Sequence, residues 1–162
     1  HMKEHGHDVD LVGQIFSIHV AGMFLFSPVV GWLTDRMGRR PAIMVGSATL
    51  VAATALTALA AGRTAFLVPG LFLLGLGWNF GLIAGSALLT ESVDREHRVG
   101  VQGSADMLMS ICGGIGGLSS GLVKSMVGFH VLSIIGLTAA FGVLAAVTLD
   151  RHRQGPTAVA VD

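Results

Sequence analysis

The sequence has no tyrosine, one cysteine and a charged fraction of only 12% across 162 residues. About a quarter of the residues are charged in an ordinary soluble domain, so this shortage excludes a fully water-facing surface. The single Cys112 excludes an intrachain disulfide. It lies inside an apolar block, reads as a small packing residue, and is silent on redox compartment. Basic and acidic residues balance at ten each, which gives no electrostatic ground for nucleic acid or for an acidic partner. Glycine-rich stretches occur, but none follows a strand pattern or includes the lysine of a phosphate loop. Acids and histidines are scattered over loops and separate blocks, so no catalytic constellation, cofactor site or metal site is expected. His5 and His7 lack a third ligand and read as residues of a solvated segment. Residues 1–10 are polar and mixed in charge, unlike a cleavable signal peptide.

What is present is apolar residue in long runs: 52% of the chain is hydrophobic. The runs are 11–33, 42–61, 65–90, 103–123 and 126–149, each close to the ~20 residues that a helix needs to cross a bilayer. The expected fold is therefore an all-α membrane protein of about five transmembrane helices, forming one transmembrane domain over residues 1–162. The short separators, including a hinge expected at Lys124 and Ser125, predict antiparallel neighbours. Pro28, Pro69 and Gly70 lie inside spans and predict kinks at most, since neighbouring helices can satisfy freed backbone groups. Arg36, Arg39, Arg40, Arg95, Arg98, Arg151 and Arg153 fall on one side of the spans, against Lys3, Arg63 and Lys124 on the other. The positive-inside rule then places the N-terminus outside and the C-terminus in the cytoplasm.

Between the first two runs stands Gly31-Trp32-Leu33-Thr34-Asp35-Arg36-Met37-Gly38-Arg39-Arg40, followed by Pro41. Pro41 suits the first turn of the next helix, Gly38 permits a positive φ in a short turn, and Arg39 and Arg40 suit cytoplasmic headgroups. Asp35 sits at the negative end of a helix dipole and requires a positive partner, with Arg36, Arg39 or another helix N-terminus available. A basic stop-transfer cluster explains the arginines but not the spacing of Gly31, Asp35 and Gly38.

This loop resembles the major facilitator superfamily signature G-x-x-x-D-R/K-x-G-R/K-R/K at every fixed position. Ser17, His19, Gly22 and Pro28 before it, and Gly77, Trp78, Asn79, Gln102, Gly103 and Asp106 after it, resemble the second half of bacterial drug or metabolite transporters of that family. The resemblance implies a secondary transporter in a bacterial plasma membrane. It would move a small molecule by alternating access, with a proton gradient as driving force. The five spans correspond in that frame to helices eight to twelve, with helices two to six as the competing registration. The N-terminal half would then be a partner, as would lipid, substrate and protons. The resemblance also makes the signature loop a latch for the outward-facing state. The alternative is a non-transporting helical module that docks a partner helix for assembly.

Polar groups inside spans are costly and are functional candidates by default. His19 suits a coupling proton or an interhelical hydrogen bond, and Asn79 suits substrate orientation. Asp106, near the cytoplasmic face, suits a substrate or proton pathway or an ion pair with nearby arginines. Gly77, Gly81 and Gly85 recur at every fourth residue, as do Gly113, Gly117 and Gly121, a spacing that predicts close helix packing. The second series resembles the family's glycine-rich antiporter motif but lacks its proline, so antiport does not follow.

Overall fold

A computed structural model describes residues 2–59 and 64–127, together with the single positions 134, 138, 141, 142, 145 and 148. The elements are α1 (Met2–Phe24), α2 (Ser27–Met37), α3 (Arg39–Leu59), α4 (Thr64–Glu91) and α5 (Arg98–Val127). No strand occurs among the described residues. Helices are the expected solution for an open chain in lipid, because each satisfies its own backbone groups. Hydroxyls in the apolar helix α3 are accommodated the same way. Ser47 donates to the Ile43 carbonyl at 2.9 Å, Thr49 to Val45 at 2.8 Å and Thr54 to Leu50 at 2.9 Å.

Three stretches of the described residues are long and apolar enough to cross a membrane: Gly13–Met37, Arg39–Leu59 and Thr64–Glu91. The first was expected as one uninterrupted span over 11–33. It is instead two helices, broken at Leu25 and Phe26 just before Pro28, which stands in the first turn of α2. Proline has no N–H to continue the ladder and its ring crowds the preceding turn, so the break falls where the sequence predicted only a kink. The run at 103–123 lies within α5, which is 30 residues long. The hinge expected at Lys124 and Ser125 is absent, because α5 continues through both to Val127. Neither residue type breaks a helix, and no glycine or proline lies between 122 and 127. The run at 126–149 lies mostly outside the described residues, as do Ala60 and Ala61 at the end of the second run.

Helix α4 is the centre of the assembly: it packs most extensively on α3, then on α1 and α2, and only slightly on α5. The sequence of α4 is apolar on every side, as a helix with several neighbours requires. Val30, Ala42, Phe80 and Ala84 form the buried cluster, with Leu33, Ile43, Leu76 and Ile83 packed against it. Glycines make the approach possible. A Cβ on Gly46 of α3 would lie 2.7 Å from the Phe80 Cβ, and one on Gly77 of α4 would lie 2.8 Å from the Leu50 Cγ. On the other side of α4, a Cβ on Gly22 would lie 2.5 Å from the Phe72 carbonyl oxygen, and one on Gly75 would strike the His19 carbonyl.

Candidate functional site

The signature loop is a single tight turn between α2 and α3. Gly38 holds φ at 95°, a conformation L side chains rarely adopt, and its N–H donates to the Thr34 carbonyl at 3.0 Å to close α2. Pro41 falls in the first turn of α3, as its fixed φ and missing N–H favour. The turn places Asp35, on the last turn of α2, against Arg39, the first residue of α3, and the Arg39 Nη1 donates to the Asp35 Oδ1. The same guanidinium reaches across to the end of α4, where Nη2 and Nε donate to the Glu91 Oε1 at 2.8 and 3.1 Å. Asp35 and Glu91 both stand at C-terminal helix ends, where the dipole disfavours a carboxylate, while Arg39 stands at a disfavoured N-terminal end. Each charge is misplaced on its own helix, and Arg39 and the two carboxylates compensate one another. Asp35 therefore has the positive partner its position required.

Glu91 was not singled out in the sequence. Its only signal is that it opens the polar segment 91–102, which the arginine pattern places on the same side as the signature loop. The Arg36 guanidinium lies over the Trp32 ring, 5.3 Å from its centroid. Arg40 follows Arg39 on the first turn of α3. A Cβ on Gly31 would meet no described atom within 4 Å, so close packing among described residues does not account for that glycine.

The three polar residues expected inside the spans are not brought to one place. The His19 Nδ1 lies 2.8 Å from the Leu71 carbonyl oxygen; that oxygen can only accept, so Nδ1 carries the proton and ties α1 to α4. Asn79 is 1% exposed and its Oδ1 accepts from the Ser27 hydroxyl at 3.2 Å, tying the first turn of α2 to α4. Its Nδ2 has no partner among the described residues, and neither has the buried Thr34 hydroxyl. Leu71 and Asn79 are separated by about 12 Å along α4 at 1.5 Å per residue, so the two tethers are independent.

Asp106 lies elsewhere, on the wall of a cavity of about 300 Å³ between α3, α4 and α5. The Gln102 Nε2 donates to the Asp106 Oδ1 at 2.8 Å and to the Ser86 hydroxyl at 3.2 Å, so the contact recorded for Asp106 is a glutamine and not one of the arginines considered from the sequence. Gly77, Gly81 and Gly85 all border this cavity, but Gly77 also serves the α3 contact, whereas a Cβ on Gly81 or Gly85 would meet no described atom within 4 Å. Gly113, Gly117 and Gly121 on α5 likewise approach no described atom.

Known proteins add the following. The chain matches the Major Facilitator Superfamily over residues 1–160. It is 40% identical over 154 residues to the uncharacterized MFS-type transporter YdeG of Bacillus subtilis (strain 168), covering 94% of this chain and 36% of that protein. It is 41% identical over 137 residues to the uncharacterized MFS-type transporter YddS of the same strain, covering 84% and 31%. To the riboflavin transporter RfnT of Brucella anthropi it is 34% identical over 108 residues, covering 67% and 27%. The chain thus spans about a third of the length of the curated relatives it matches. No solved structure matches it. An all-α architecture with three membrane-crossing stretches, an intact signature turn and a match along nearly its whole length together establish that this chain, an integral membrane protein, belongs to the Major Facilitator Superfamily of transporters.

Proposed function

We propose that the chain is helices eight to twelve of a secondary transporter that moves a small molecule by alternating access, with its N-terminus outside, its C-terminus in the cytoplasm and a proton gradient as driving force. The observation that carries this reading is the Asp35–Arg39–Glu91 triad. One guanidinium fastens the α2–α3 turn to the end of α4, so the cytoplasmic ends of three helices present the signature loop as one body. A rigid loop of this kind can dock against the other half of a transporter in one state and release it in the next. The missing N-terminal half is then an obligatory partner, and the chain alone forms one wall of the pathway. Saturable uptake by the chain reconstituted without that half contradicts the reading.

The experiment is transport by the full-length protein carrying Arg39→Gln. Loss of transport with membrane expression retained supports a conformational role, whereas unchanged transport refutes it. The second reading is an assembly module that docks a partner helix, for which the spacing of Gly113, Gly117 and Gly121 on α5 is suited. Replacing Asp35 and Gly38 in the full-length protein separates the two, since the module predicts loss of complex assembly in place of transport.

A further inference from the structure

Helix α2 stands between two joints and is seated less well than its neighbours. One joint is the break at Leu25 and Phe26, in the middle of the membrane-crossing stretch Gly13–Met37. The other is Gly38 at φ 95°. The helices beyond these joints are held to α4 by close backbone approach, α1 through Gly22 and Gly75 and α3 through Gly46 and Gly77. The first joint is itself anchored on α4: Phe24 meets Trp78 edge-on with ring centroids 5.7 Å apart, and Phe26 meets Phe72 at 5.8 Å. Helix α2 has no such seam, since a Cβ on Gly31, its one glycine, would meet no described atom within 4 Å. Ser27, Val30 and Thr34 are spaced to share one face of α2, and Val30 joins Phe80 and Ala84 of α4 in the core. The polar groups along this contact are poorly matched. Thr34 and Asn79 are each 1% exposed, yet the Thr34 hydroxyl and the Asn79 Nδ2 have no partner among the described residues. Ser27 and Asn79 share one bond of 3.2 Å, beyond the range of about 2.5–3.0 Å usual for a hydroxyl donor. A buried polar group without a partner is costly. At its far end α2 is held by the exposed contacts of Asp35 and Glu91 with Arg39, a kind of bond that contributes little on a surface.

We infer that α2 is a strut with two seatings against α4, shifting between the joints at 25–26 and 38 while α1 and α3 stay fixed, and carrying Thr34 and Asp35 of the signature turn with it. In the second seating the Thr34 hydroxyl and the Asn79 amide gain the partners they lack here, so these two groups weaken the present one. The proline break and the glycine turn then have a joint use: they uncouple an 11-residue helix from the two seams that flank it. The inference rests on the transport reading only for what the movement serves. The movement itself is measured without transport, so the two can fail separately.

The test is hydrogen–deuterium exchange, read by mass spectrometry on the full-length protein in lipid nanodiscs, over peptides covering α1, α2 and α3. In the wild type α2 exchanges about tenfold faster than the part of α1 from Gly13 to Phe24 and than α3. Thr34→Val keeps the shape of the side chain and removes the unpaired hydroxyl, so it slows exchange in α2 by about tenfold and leaves α1 and α3 unchanged. A Thr34 hydroxyl already satisfied by bound water gives the opposite sign, because valine forfeits that bond. Unchanged or faster exchange of α2 in Thr34→Val overturns the inference, as does a slowing shared equally by α1 and α3. Should Thr34→Val fail to reach the membrane, Asn79→Leu decides by the same criterion, since it removes the other unpaired group.

Discussion

The glycines of α4 are alike in sequence and do different things. Towards α3 and α1, Gly77 and Gly75 let backbones meet, and added methyl groups there have nowhere to go. Towards α5, Gly81 and Gly85 continue the spacing begun at Gly77, yet they border a cavity, and α5 touches α4 only slightly. The spacing is the same, and what differs is what the neighbouring helix presents. Leu50 and Gly46 close over Gly77, whereas Gln102 ties α5 to Ser86 of α4 at the cavity's edge. Glycine in a membrane helix thus makes either a tight seam or a hole, and a single sequence does not separate the two.

The largest expected effect breaks the tight seam. Gly46→Val or Gly75→Val should destabilise the protein by about 3 kcal/mol or more, the upper end for overpacking, because the obstacles include backbone atoms that cannot rotate away. Thermal unfolding in detergent measures it, and a fall in membrane yield should accompany it. Gly38→Ala comes next: a non-glycine residue at φ 95° stores about 1–3 kcal/mol of strain, so the α2–α3 turn should loosen and transport should fall with it. Arg39→Gln should lower transport by about tenfold, a typical coupling between distant sites, at near-normal expression. On the open face, Gly81→Ala should be nearly silent in unfolding, since its methyl group meets no described atom. A large loss of stability from Gly81→Ala would erase the distinction between the packed glycines and those at the cavity.

Much of this architecture was legible in the residues. Long apolar runs in lipid leave the backbone little choice but helix, so four of the runs fall on the helices α1 to α5, with most ends displaced by about a turn or less and the start of α1 nine residues earlier than expected. Gly38 and Pro41 were legible because turn geometry restricts residue type locally. The break at Leu25 and Phe26 was not, because a proline in a membrane span can kink or interrupt it depending on its neighbours. Here Asn79, 52 positions away from Ser27, holds the new helix start. The role of Glu91 was hidden for the same reason: it lies 52 positions from Arg39, and nothing in a single sequence pairs them. The arginine pattern placed both on one side of the membrane but left several acids to choose from.

The most direct measurement of the central claim is a double-mutant cycle on transport by the full-length protein, with Arg39→Gln, Glu91→Gln and the pair together. If Arg39 acts by fastening the signature turn to α4, the double variant transports about as well as Arg39→Gln alone, because the second change removes a contact already lost. Independent, multiplicative losses from the two substitutions would contradict it.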